Sequence, residues 1–140
     1  MSDSSENRRA LQLDPDLFFA VKVSAMLKHI GMETTTVRQG SEFATRLMGG
    51  DFVIALVNTA AHGVAWQDAI YAARAAGVPI IAYGSHVDTE TQVQARAAGA
   101  SRVIVNSKLA VDLPVIVEQT LQRSTRERED TFPTDGKEKE

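Results

Sequence analysis

Five short apolar runs alternating with five helix-patterned stretches predict a doubly wound α/β domain with a five-stranded parallel sheet. Two runs, Phe52–Val57 and Val78–Tyr83, lack polar alternation, as strands buried on both faces do. Gly31, Gly77 and Gly99 each close a helical stretch just before the next strand. Right-handed crossovers in this register give strand order 2-1-3-4-5. The switch point then lies between the first and third strands, and a site belongs at the carboxyl ends there.

Arg9–Leu13 is the first strand and ends in Asp14-Pro15-Asp16. From Leu17 the pattern turns helical, with Phe19, Val23, Leu27 and Ile30 on one stripe and Gly31 at its end. Glu33–Arg38 holds three threonines and a valine, which favour a strand. Ser41 is a candidate cap for a short helix to Met48, ended by Gly49-Gly50. Phe52–Val57 is the central strand, and Asn58–Gly63 the loop after it. Val64–Ala76 is an alanine-rich helix, and Val78–Tyr83 the fourth strand. Asp88 or Thr89 caps a helix to Ala98, with Thr89 and Gln92 spaced as a capping box. Arg102–Val105 is the fifth strand. Pro114–Leu121 is the core of the last helix, with Pro114 suited to its first turn.

These elements fill residues 8–122. Residues 1–7 read as a loose polar arm. Residues 123–140 hold five basic and six acidic residues and read as a charged, disordered tail. The 140 residues suit one domain, and 44% hydrophobic content suffices for a core. A net charge of −3 argues against a nucleic-acid binder. The absence of cysteine removes disulfides, thiolate nucleophiles and Cys-ligated metals, and three histidines cannot build a His-rich cage. No apolar leader and no membrane-length run is visible, so the expectation is a cytoplasmic protein without membrane contact.

Asp14-Pro15-Asp16, Asp51-Phe-Val-Ile-Ala-Leu, Val78-Pro-Ile-Ile-Ala-Tyr and Ala97-Ala-Gly-Ala before Val103-Ile-Val carry a resemblance to the response-regulator receiver domain. The resemblance implies the flavodoxin-like three-layer sandwich already predicted. It also implies a phosphoacceptor Asp on the third strand, acidic residues holding Mg²⁺ at the first, and a Ser/Thr and a Lys binding the phosphoryl group. Aligned without gaps, the acceptor falls on Leu56, and Asn58 is the nearest polar residue. The hydroxyl position falls on Gly84, with Ser85 next. The lysine position falls on Asn106, with Lys108 two residues on, and the switch aromatic of the fifth strand falls on Val103. The chain thus resembles a degenerate receiver, or pseudo-receiver. Asp14 and Asp16 remain as a weak divalent (Mg²⁺) site, with helix capping as the other role of Asp16.

The same rim carries residue types for other chemistry. His62 and His86, with nearby carboxylates, are the residue types of a divalent-metal site. Ser85, His86 and Asp88 are the types of a hydrolase triad, but residues so close in sequence rarely converge like one. No Gly-x-Gly-x-x-Gly follows the first strand and no phosphate loop ends in Gly-Lys-Ser/Thr. His29 reads as a dipole partner late in the first helix, Trp66 as partly core, Phe18 as surface, and Met26 and Met48 as core filler.

The expected function is therefore a non-enzymatic, phosphorylation-independent signalling module that contacts another signalling protein or forms a homodimer, with no cofactor. The resemblance implies a partner face on the fourth helix, fifth strand and fifth helix, at Gln92, Arg96, Arg102, Val111 and Leu113. Two alternatives are a small-molecule or metal binder using the strand-end rim and a receiver phosphorylated at an unexpected acceptor.

Overall fold

The computed structural model describes residues 8–60 and 66–137, with side chains to residue 127. Five strands alternate with five helices. They are β1 (Arg8–Leu13), α1 (Leu17–Lys28), β2 (Met32–Val37), α2 (Gly40–Gly49), β3 (Ile54–Asn58), α3 (Trp66–Ala75), β4 (Ile80–Gly84), α4 (Thr89–Ala98), β5 (Arg102–Val105) and α5 (Asn106–Lys137). The strands form one sheet in the order β2-β1-β3-β4-β5, and every neighbouring pair is parallel. This is the predicted flavodoxin-like architecture.

Side chains alternate between the two faces along each strand, so the core divides in two. Leu11, Leu13, Ala55, Val57 and Ala82 face one way, packing with Phe43, Ile70, Ala73 and Ala95 of α2, α3 and α4. Ala10, Ile54, Leu56, Ile81 and Tyr83 face the other way, packing with Val23 and Leu27 of α1 and with Leu113, Ile116 and Val117 of α5. Gly31, Gly77 and Gly99 all have positive φ, which glycine adopts without strain as each helix hands over to the next strand.

Several local readings are corrected by the packing. The central strands sit two residues later than the apolar runs suggest. Phe52 lies before β3 and Val78-Pro79 before β4, because an apolar residue can be buried without joining the ladder. The shift brings Asn58 and Gly84 into the strands as their last residues. Gln39, not Ser41, is the N-cap of α2 and makes no side-chain cap bond. Asp88 caps α4 by accepting from Thr91 N, while Gln92 Nε2 donates back to Val87 O, so Thr89 is not the cap. Met48 is exposed in the last turn of α2 rather than core filler, whereas Trp66 packs partly against the core.

α5 begins at Asn106, eight residues before Pro114, and has non-helical dihedrals at Asp112. Pro114 then falls in the first turn after this break, where its missing N–H leaves no bond unmade. The break also sets the faces. Leu113 is completely buried in the α1/α5 core and does not belong to a partner face, whereas Val111 is 75% exposed. The helical backbone continues through residues 123–137, the segment read as a disordered tail, whose Arg and Glu residues favour helix. No helix among the described residues is long and apolar enough to cross a membrane. Leu113→Ala should lower unfolding free energy by about 2–5 kcal/mol, and Val111→Ala by less than about 0.5 kcal/mol, in urea denaturation.

Candidate functional site

β1 and β3 are neighbours, and the register pairs Leu13 with Val57, so Asp14 and Asn58 come side by side at the strand ends. The same alternation that turns Ala10 and Ile54 toward α1 and α5 turns Gln12, Asp14 and Asn58 that way too. From β4, Tyr83 enters the same layer. Its ring is tilted against Phe19 of α1 with centroids 5.5 Å apart, and its hydroxyl reaches back across β3 to β1. Four polar side chains thus meet on one buried face, and Gln12, Asp14 and Tyr83 have no solvent exposure.

They form one directional chain of hydrogen bonds. Thr36 Oγ1 of β2 donates to Gln12 Oε1 at 3.1 Å, and Gln12 Nε2 donates to the Tyr83 hydroxyl at 2.8 Å. The Tyr83 hydroxyl donates to Asp14 Oδ2 at 2.6 Å. Asn58 Nδ2 donates to Asp14 Oδ1 at 3.0 Å, and Asp16 N donates to the same oxygen at 2.8 Å. Asn58 Oδ1 in turn accepts from Ala60 N at 2.8 Å, which fixes the amide's orientation. Each donor polarises the next, and the carboxylate of Asp14 collects the result.

Burial raises the Asp14 carboxyl above its usual range, while the bonds from Tyr83, Asp16 and Asn58 pull it back down. Burial pushes the Tyr83 phenol well up, and the neighbouring Asp14 charge adds to that. Both groups are acids raised in the folded state, so folding favours their protonated forms. Stability falls as pH rises from the unfolded value, near 3.8 for Asp14 and 10.0 for Tyr83, through the folded one.

Leu56, the residue aligned with the acceptor, lies within β3, completely buried beside Gln12. The residue at the strand end is Asn58. Asp16 is exposed and caps α1, accepting from Phe18 N at 3.1 Å and Phe19 N at 3.3 Å. At the end of β4, Thr59 Oγ1 stands where a side chain on Gly84 would go, 2.6 Å from an ideal Cβ, and bonds to Tyr83 O. Ser85 is exposed and lies 3.5 Å from Asn106 Nδ2, while Asn106 Oδ1 is buried without a partner. Lys108 does not reach this rim, since its ammonium pairs with Asp112 at 3.1 Å. Val103 is half-buried against the α2–α4 side of the core. His86 is an exposed loop residue, and His62 lies outside the described residues. Gln92 and Arg96 are exposed, and Arg102, half-buried, donates to Gln119 Oε1 at 3.2 Å.

These donors do not fit a divalent cation. Mg²⁺ needs several oxygens with free lone pairs, and Asp14 already accepts three hydrogen bonds in a buried position while Asp16 is committed to a helix end. Among the described residues, no three His, Asp or Glu side chains gather as a metal site.

The sequence reading missed Gln12 and Tyr83. A glutamine inside an otherwise apolar strand is the available signal, since a buried amide must find a partner.

Comparison with solved structures places this fold among receivers. A CheY-like response regulator receiver domain from Methanospirillum hungatei is 20% identical with a TM-score of 0.78, covering 86% of this chain and 98% of that one. A Burkholderia pseudomallei response regulator carrying a phosphorylated aspartic acid and a calcium ion is 14% identical, with a TM-score of 0.74 over 89% of this chain and 73% of that one. The Thermotoga maritima response regulator TrrA in complex with Mg²⁺-BeF is 17% identical, with a TM-score of 0.71 over 81% of this chain and 98% of that one. No family model matches the sequence. No curated protein matches it either.

Removing the Tyr83 hydroxyl strands the Gln12 amide and Asp14 Oδ2. Tyr83→Phe should therefore cost about 1–3 kcal/mol at neutral pH in urea denaturation. It should also remove the Tyr83 share of the stability lost as pH rises above 10.0.

Proposed function

We propose that this chain is a receiver-like signalling module that works through protein contacts and is not switched by aspartyl phosphorylation. The observation that carries the reading is the Asp14 carboxylate, buried and accepting three hydrogen bonds from the protein. In a working receiver this group is free to hold a metal. Here it is the hub of a buried hydrogen-bond chain.

The rest of the rim supports the same reading. Leu56, at the aligned acceptor position, carries no nucleophile, and the amide nitrogen of Asn58 at the strand end has its lone pair delocalised into the carbonyl, which makes it a poor nucleophile toward phosphorus. Gly84 supplies no hydroxyl, and the space beside it is taken by Thr59. Asn106 stands in for the lysine, with Lys108 turned to Asp112. With neither metal nor cation, nothing neutralises the charge that develops on a transferred phosphoryl group. Without that event, an induced change at the strand ends has no source, and the domain offers a standing surface.

That surface is placed on α4, β5 and α5 by analogy with receivers, at Gln92, Arg96, Arg102 and Val111. The exposed side chains Val93 and Val115 add apolar area on the same elements. The partner is another signalling protein or a second copy of this chain.

Incubation with acetyl phosphate and Mg²⁺ followed by intact-mass spectrometry should give no phosphoryl adduct on the native chain. A stoichiometric adduct that is labile to acid, base and hydroxylamine, as an acyl phosphate is, would overturn the reading and identify the acceptor on peptide mapping.

A further inference from the structure

At the opposite, amino-terminal edge of the sheet, α5 overhangs the strands. Two adjoining cavities of about 480 and 640 Å³ lie in the notch and share Ser101, Thr120 and Arg123. Five arginines from four elements line them: Arg74 of α3, Arg96 of α4, Arg102 of β5, and Arg123 and Arg126 of α5. In a chain of net charge −3, a third of its 15 basic residues converge on one groove.

Two of them have a local reason to be there. Arg74 and Arg96 sit in the last turns of their helices, where the dipole favours a cation. Arg102 donates to Gln119 Oε1, which lines the same groove, and Arg123 and Arg126 bring two more guanidiniums from α5. Glu127 also lines the groove. Setting Glu127 and two helix-end half-charges against five guanidiniums leaves roughly three positive charges. Like charges gathered this way repel, and the arrangement is stabilised by an anion that several of them share.

We infer that this groove binds a small molecule carrying two or more adjacent phosphates. Guanidinium forks match phosphate oxygens bidentately, and the five arginines are divided between two adjoining cavities, which suits more than one phosphate. The combined space suits a compact ligand, and the negative net charge disfavours a nucleic-acid strand. Val78 and Pro79, at the far end of the first cavity, give an apolar floor on which a nucleoside base fits. The site is separate from the strand-end pocket, and binding requires no divalent metal.

Isothermal titration calorimetry of the full chain, with chelator present, should show saturable binding of ATP and of tripolyphosphate with Kd below about 1 mM. Arg123→Ala, an exposed position, and the Arg102→Ala/Arg123→Ala pair should each weaken binding, the pair by about tenfold or more. Lys22→Ala, an exposed cation on α1, should leave it unchanged. Tighter binding of ATP than of tripolyphosphate would assign a nucleoside to the Val78–Pro79 floor, and equal affinity a phosphate chain alone; both support the site. Absence of saturable heat with either ligand, or equal weakening by Lys22→Ala, would overturn it.

Discussion

The buried carboxylate of Asp14 is the constraint on which the strand-end architecture depends. A charged group taken out of water must recover its solvation from fixed dipoles. Three donors supply it, from the turn after β1, from β3 and from β4. The shortest comes from Tyr83, and that bond forces a large aromatic ring into the layer between the sheet and α1. Gln12 and Thr36 then complete the chain on the other side of the phenol. Four of the five strands are stitched together at their carboxyl ends in this way.

The same stitching decides the chemistry. A strand-end carboxylate has two uses that compete for its lone pairs. Left exposed, it holds a metal and supports transfer of charged groups; buried and fully bonded, it fixes structure and is chemically silent. Asp14 is buried and accepts three hydrogen bonds, and its partners have chemistries to match. Asn58 donates where a second carboxylate would repel, and Tyr83 donates where a cation or metal would otherwise be needed. The amide of Asn58 and the burial of Asp14 are thus two parts of one electrostatic arrangement.

Much of this fold is legible in the sequence. Unbroken apolar runs identify central strands, positive-φ glycines mark helix ends, and strict alternation of elements fixes the sheet order. Strand ends are less legible. Phe52 and Val78 are apolar because they are sheltered against the core, and nothing local separates that from ladder pairing. Leu113 was assigned to the surface because the break at Asp112, which rotates the face of α5, depends on tertiary packing. Gln12 and Tyr83 are separated by 71 residues and meet only across β3, and the arginines of the amino-terminal groove are gathered from four elements in the same way. Pairings of this range follow from the register between strands, which no single segment encodes.

On the proposed reading the Asp14 carboxylate, which accepts three hydrogen bonds from the protein, does not exchange them for a metal. The most direct test is an amide NMR titration of the native chain with Mg²⁺, followed by beryllofluoride as a phosphoryl mimic. No saturable shift is expected at Asp14, Asn58, Gly84, Ser85 or Asn106 with either reagent. Saturable shifts confined to these residues would contradict the reading, because they require Asp14 to exchange its bonds to Tyr83 and Asn58 for a metal.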